Sequence, residues 1–445
     1  MKMISPTRLL AAGVSLWLGA AMAAEKPNVL LIMVDDLGYG DLSCFGAGGL
    51  RTPNIDRLMG EGVRFNEFYA NCCVCSPTRA ALLSGRYPEM VGIPGVVRTD
   101  QKENWGHLTP DSILLPRLFQ QAGYRTILVG KWHLGLVAPN TPNDRGFLQF
   151  RGFLGDMMDD YWKHRRHGIN YMRENRREID PEGHATDLFT AWAIDELRKS
   201  AKSGEPFFHF LAYNAPHTPI QPPEDWVARV REREPGLSEK KIKMNAFIEH
   251  LDDGIGKVLA AVGETGLADN TIVVFTSDNG GNLDPGASNG ELRSGKTHVY
   301  EGGIKVPACI RWPGRIKAGE QTGFQALTMD LVPTLADICG VAIDHGIDGR
   351  SFKKLLLTGS QDPFDRPVFH MWLQGKTKET VRLGDWKLLR DEAGAPFELY
   401  NIREDPRETS DLAQKAPAKL AELRTILEGH MKITSAVPWK RPKEQ

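Results

Sequence analysis

The sequence predicts an α/β fold: a large mixed, mostly parallel sheet sandwiched by helices, followed by a smaller C-terminal α+β domain of antiparallel strands and one helix. Three observations predict it. Continuous apolar runs at residues 29–34, 126–129, 207–213 and 272–275 have the length and unbroken hydrophobicity of strands buried on both faces. Helical patterns at 53–58, 114–122, 187–198 and 241–262 lie between them, and strands alternating with helices make a layered α/β domain. After about residue 365 the texture changes. Short strand-like pieces at 366–372, 380–383, 386–389 and 397–401, split by turn residues, precede one helix at about 416–431. The expected division is therefore a large domain over 25–365 and a small one over 366–445, with the charged, Pro-containing stretch from Pro438 frayed.

The first residues read as a targeting segment. Lys2 and Arg8 precede an apolar run over 9–20, and Ala21-Met22-Ala23 offers a small-x-small cleavage site. That layout predicts a signal peptide over residues 1–24, cut after Ala23 or Ala24, and a periplasmic or secreted mature chain. The run is short for a bilayer span and is followed by small residues rather than basic ones, so no stable membrane anchor is expected. A formal net charge of -1 gives no sign of a nucleic-acid partner. The cysteines are Cys44, Cys72, Cys73, Cys75, Cys309 and Cys339. Cys72, Cys73 and Cys75 are too crowded for ordinary mutual bridging and do not have the spacing of a C-x-x-C redox pair. The pairing of the others is not readable.

Each of the four apolar runs ends in polar residues. The first meets Asp35-Asp36, the second Gly130-Lys131-Trp132-His133, the third Asn214-Ala215-Pro216-His217, and the fourth Ser277-Asp278-Asn279. In a parallel sheet ligands gather outside the carboxyl ends of the strands, so these clusters are expected to converge. The segment from Cys75 to Arg86, Cys-Ser-Pro-Thr-Arg-Ala-Ala-Leu-Leu-Ser-Gly-Arg, adds a helix start. Pro77 suits a first helical turn, which puts Cys75 at a helix N-terminus, where free N–H groups and the positive dipole end favour an anion.

This dodecapeptide resembles the signature of the type I, formylglycine-dependent sulfatases, C-x-P-x-R followed by small residues, Leu and S/T-G-R, in the alkaline phosphatase superfamily. Gly123 to His133 resembles the second signature of that family. Val34 to Asp41, Thr52 to Asp56, Ser277 to Gly281, and Arg293 to Pro307 are similar to further blocks, so the resemblance covers essentially all of 27–445. One departure is Tyr300, where relatives have Trp.

The resemblance implies that Cys75 is converted after synthesis to formylglycine by a maturase. One hydroxyl of the hydrated aldehyde attacks sulfur and forms a covalent sulfated intermediate; the second lets that intermediate collapse to free sulfate. Five thiols would remain. It also implies a single Ca2+ bound by Asp35, Asp36, Asp278, Asn279 and the modified Cys75. The four oxygen-bearing side chains suit Ca2+ by their chemistry, and Mg2+ second. Arg79, Lys131 and Lys296 match the positions that hold the sulfate, where cations offset the charge that repels a nucleophile. His133 matches the base for the second hydroxyl, and His217 and Lys296 lie toward the leaving oxygen.

Specificity is expected from loops after the strand ends. Candidates are residues 93–99, which include Arg98, and 157–164, where Tyr161 or Trp162 would stack on a sugar and Asp159 or Asp160 accept its hydroxyls. His298 is a further candidate at the mouth. The expected substrate is a carbohydrate sulfate, of galactose or N-acetylgalactosamine. The alternatives are a phosphate or phosphonate ester hydrolase of the same superfamily, disfavoured because one metal set is evident, and a catalytically dead sulfate-binding relative.

Overall fold

A computed structural model describes residues 26–375 and 377–437; the expected signal peptide and the tail from Pro438 lie outside them. The main sheet is built, in chain order, from β1 (Asn28–Val34), β2 (Val63–Phe65), β3 (Arg125–Lys131), β4 (Gln149–Phe153), β5 (Met172–Glu174), β6 (Arg177–Glu178), β7 (Phe207–Ala212), β8 (Thr271–Ser277), β9 (Ala308–Arg311) and β10 (Glu320–Thr322). Their spatial order is β10-β2-β9-β8-β1-β7-β3-β4-β5-β6. The centre, β8-β1-β7-β3-β4, is parallel throughout. Antiparallel pairs flank it on both sides, β9 on β8 and β5 on β4. The four apolar runs are the four inner parallel strands. The fifth, β4, escapes the pattern because Gln149 and Arg151 interrupt its apolar residues.

The two faces of β1 show why its hydrophobicity is unbroken. Val29, Leu31 and Met33 enter one core with Leu82 and Leu83 of α2 (Cys75–Ser84), Leu115 and Leu118 of α3 (Leu115–Gln121), and Leu331 and Leu335 of the later helix Leu331–Cys339. Leu30, Ile32 and Val34 enter the opposite core with Ile55 and Leu58 of α1 (Pro53–Glu61), and with Phe189 and Ile248 of α4 (Ala185–Ser203) and α5 (Glu239–Glu264). Alternate residues point to opposite faces, so a strand covered on both must be apolar at every position.

The C-terminal sheet is antiparallel, β11 (Val368–Trp372), β12 (Lys378–Leu383), β13 (Trp386–Arg390) and β14 (Glu398–Asn401), packed by α6 (Pro417–Thr434). Val381, Leu388 and Leu399 meet Leu423 and Leu427 of α6 in a third core, which also takes in Tyr69, Cys72 and Ala81 from the main body. A buried ionic cluster fastens the two together. Lys387 Nζ donates to Glu301 Oε1 at 2.9 Å and reaches Glu408 Oε1 at 2.8 Å, and the Glu301 backbone N–H donates to Glu408 Oε2 at 2.7 Å. Replacing Lys387 with Met strands two buried carboxylates beside each other. It is expected to cost about 3–5 kcal/mol of unfolding free energy in urea denaturation.

Candidate active site

Sheet register determines which polar residues meet. Val34 pairs with Ser277 at the end of β1 and β8, so Asp35-Asp36 and Asp278-Asn279 leave the sheet side by side. Gly130 pairs with Ala212, which brings Lys131 and His133 beside the loop that carries His217. Gly130 is needed for this: its φ is +109°, and a Cβ there would lie 1.9 Å from the Ala212 carbonyl oxygen. α2 begins at Cys75 after an extended Val74, with no side-chain cap on its first turn, and ends at Gly85, whose left-handed backbone (φ +69°) returns its N–H to Ala81. All the residues of α2 are buried.

The charged residues form one connected group, with Asp35, Arg79, Lys131 and Asp278 fully buried and Lys296 at its partly exposed edge. Lys131 Nζ donates to Asp35 Oδ2, and neither side chain is exposed. Arg79 donates to Asp278 Oδ2 from Nε (3.0 Å) and Nη2 (2.7 Å), and to the Lys131 carbonyl from Nη1 (3.3 Å). Asp36 receives Asn279 Nδ2 at 2.8 Å on Oδ1 and Lys296 Nζ at 2.8 Å on Oδ2. Burial opposes the Asp35 charge, yet Lys131, His217 and Arg79 hold its carboxyl well below the usual carboxylate range. Burial and the neighbouring Asp35 push Asp278 up. Burial likewise raises the Cys75 thiol, against the pull of Lys131 and Lys296.

The donor set fits a hard cation. Asp35, Cys75 and Asp278 bring ligand atoms within 4.8 Å of one another, and so do Asp35, Asp36 and His217. Asp35 Oδ1 and Asn279 Oδ1 are buried oxygens without a hydrogen-bond partner among the described residues. Unpaired buried acceptors are costly, and a cation is the partner that satisfies them.

Both histidines are fixed in orientation by backbone carbonyls. His133 Nε2 lies 2.8 Å from the Val97 carbonyl, so Nε2 carries a proton, and Nδ1 has no hydrogen-bond partner among the described residues. Burial and the charges of Lys131 and Arg79 keep it well below the usual histidine range. His217 Nδ1 donates to the Thr218 carbonyl (2.8 Å), and its Nε2 is 3.7 Å from Asp36 Oδ2. Burial, helped by Lys296, lowers its pKa too. Asp36, His133 and Thr297 adopt left-handed backbone, with φ of 69°, 61° and 74°. Such strain, about 1–3 kcal/mol per residue, collects where a side chain must be aimed.

A pocket of about 170 Å³ is lined by Cys75, His133, His217 and Lys296, together with Arg98, Asp156, Met157 and Trp372. Arg79 and Lys131 are not among its lining residues; both are fully buried, with their charges on Asp278 and Asp35. Of the expected specificity loops, Arg98 and Met157 do reach the pocket. Tyr161 does not stack in it: the residue is buried, and its hydroxyl hydrogen-bonds the carbonyls of Asn214 (2.8 Å) and His217 (2.9 Å). Trp162 packs on His184, and Asp159 binds Arg166. His298 turns to Asp391 of the C-terminal part, at 2.5 Å. Trp372 and Asp156 line the pocket outside every segment expected to do so; a Trp on an antiparallel strand carries no signal of what it faces.

Comparison with known proteins bears on this geometry. Residues 27–341 match the Sulfatase family, and residues 293–435 match the family described as N-sulphoglucosamine sulphohydrolase, C-terminal. The chain belongs to the sulfatase family. Relatives include N-acetylgalactosamine-6-sulfatase of Homo sapiens, 34% identical over 83% of this chain and 72% of that protein. Arylsulfatase A of Homo sapiens is 33% identical over 83% and 76%. Among solved structures, Ps i-CgsB in complex with k-i-k-neocarrahexaose superposes with a TM-score of 0.85 at 30% identity, covering 94% of this chain and 95% of that one. The fold and the type I sulfatase resemblance are thereby borne out, and the protein is a sulfuric ester hydrolase. Sulfatases of this type generally use formylglycine and a divalent metal, and the acidic groups of this chain are candidates to hold one.

Tyr161 links two parts of this site. Tyr161→Phe keeps the ring but takes the donor from two buried carbonyls. It is expected to lose about 1–3 kcal/mol in chemical denaturation. With the His217 loop loosened, kcat on an aryl sulfate should fall about ten- to a hundredfold.

Proposed function

We propose that this sulfatase is an exported enzyme acting on carbohydrate sulfates, with galactose or N-acetylgalactosamine as the sulfated sugar, and that it works through a formylglycine made from Cys75 and one Ca2+. The observation that carries the reading is the meeting, in one site, of Cys75, a connected set of buried cations and carboxylates, and two histidines. The substrate class is supported by the names of the relatives, N-acetylgalactosamine-6-sulfatase among them, and by the neocarrahexaose bound to a structural neighbour. Export is supported by the sequence of residues 1–24. No helix among the described residues is long and apolar enough to cross a membrane.

Asp35, Asp36, Asp278, Asn279 and residue 75 would hold the ion. An ion held there would supply positive charge to offset the negative charge of the sulfate. Conversion of Cys75 by a formylglycine-generating maturase supplies a hydrated aldehyde, a nucleophile that the protonated, buried thiol cannot replace. Lys131, Arg79 and Lys296 offset the negative charge of the ester, the contribution that dominates reactions of this kind. His133 offers Nδ1 as a base toward residue 75, its other nitrogen being tied to Val97. His217 and Lys296 stand toward the leaving oxygen and deliver its proton.

Two experiments test this. Protein from a host with a maturase should show loss of sulfur from the Cys75 peptide by mass spectrometry, and Cys75→Ala should lower kcat at least about a thousandfold with an unchanged circular dichroism spectrum. An intact thiol in fully active protein overturns the mechanism. Ca2+ at about 100 times its Kd should stabilise chelated protein by about 2.7 kcal/mol, read as a rise in Tm that Asp36→Asn abolishes.

A further inference from the structure

The catalytic pocket, at about 170 Å³, is smaller than the roughly 300–1,000 Å³ usual for sites that enclose a whole organic ligand. A second cavity of about 540 Å³ adjoins it, and Arg98 and Trp372 line both. The larger cleft also carries Lys102, Trp105, Gln374 and Lys378, with Glu103 on its lining. It therefore presents two indole rings and three cationic side chains next to the place where the sulfate is cut.

The details favour an anionic ligand. Arg98 and Lys102 form no ion pair among the described residues. Asn104 fixes the Arg98 backbone from both sides, accepting its N–H at 2.5 Å and donating to its carbonyl at 3.3 Å, and so leaves the guanidinium to the cleft. Lys378 already shares its charge with Asp391 at 3.0 Å. Trp372 Nε1 is a buried donor with no hydrogen-bond partner among the described residues. The walls are also fastened to each other: Gln374 accepts the Val96 N–H at 2.8 Å and donates to the Val96 carbonyl at 3.3 Å, while the Leu373 N–H donates to Pro94 at 3.0 Å. A cleft held this way is formed before any ligand arrives, which lowers the ordering cost of binding.

We propose that this cleft is a subsite for a second, negatively charged sugar ring of the same substrate, with the ring against Trp105 and Trp372 and its anionic group on Arg98 and Lys102. The proposal rests on the carbohydrate-sulfatase reading above. The anion is either a second sulfate or a uronate carboxylate, since a guanidinium pairs with both in the same two-pronged way. Its consequence is that the enzyme prefers an oligosaccharide with an anionic neighbour to an isolated sulfated monosaccharide.

The test compares kcat/KM on 4-nitrophenyl sulfate with that on sulfated disaccharides whose second ring is neutral, sulfated or a uronate. The wild type should favour the charged neighbours by about tenfold, mainly through KM. Trp105→Ala should lower the ratio of kcat/KM for every disaccharide to that for the aryl sulfate. Lys102→Ala should lower it only for the charged ones, and Lys102→Arg should restore it. Whichever charged ring loses more identifies the anion. Equal loss on all substrates, or none on any, overturns the proposal. Turnover of sulfated sugars without preference for a charged neighbour sinks the subsite alone. Turnover of the aryl sulfate with no sulfated sugar cleaved sinks the carbohydrate reading and the subsite with it.

Discussion

Lys131 and Asp35 meet as an ion pair with no access to water, and Arg79 and Asp278 lie against them in the same state. Removing these charges from water is expensive, and their mutual attraction compensates only where the geometry is held closely. That geometry comes from the parallel sheet. Asp35 follows β1, Asp278 follows β8, and Lys131 closes β3, so their spacing is set by ladder hydrogen bonds rather than by loops. A cluster of this kind is poor value as a stabilising device. It is well suited to receiving a sulfate group, whose oxygens carry the negative charge, together with a cation, because its charges are already positioned before substrate arrives.

Around that cluster the backbone does much of the aiming. The Val97 and Thr218 carbonyls take one N–H from each histidine and so determine which ring nitrogen is free. Asp36, His133 and Thr297 hold left-handed conformations that an ordinary loop would relax. Tyr161 secures the His217 loop from behind. These features share a cause: small displacements at a reacting centre are costly in rate, so the fold tolerates local strain to prevent them.

The C-terminal sheet is part of the same machinery. Lys387 joins it to Glu301 through a buried ionic contact, Arg382 donates to Tyr69 at 2.6 Å, and His298 and Lys378 both meet Asp391. These ties bring Trp372 to the rim of the catalytic pocket and Gln374 against Val96. One wall of the site is thus supplied by residues almost three hundred positions from Cys75 along the chain.

What the sequence determined by itself was the inner sheet and the candidate site residues. Strands buried on both faces must be apolar throughout, so they stand out in the sequence, and with them the polar residues at their ends. Cys75, Arg79, Lys131 and His133 were legible because their motifs are local. The outer strand β4 was not, since Gln149 and Arg151 mix polar with apolar residues where one face is partly open. Tertiary structure alone decided that Tyr161 supports a loop and does not stack on a sugar, that His298 pairs with Asp391, and that Arg98 and Trp372 share two cavities. The reason is physical: side-chain chemistry and local periodicity are written along the chain, whereas a pocket wall depends on which distant surfaces the packed cores bring face to face.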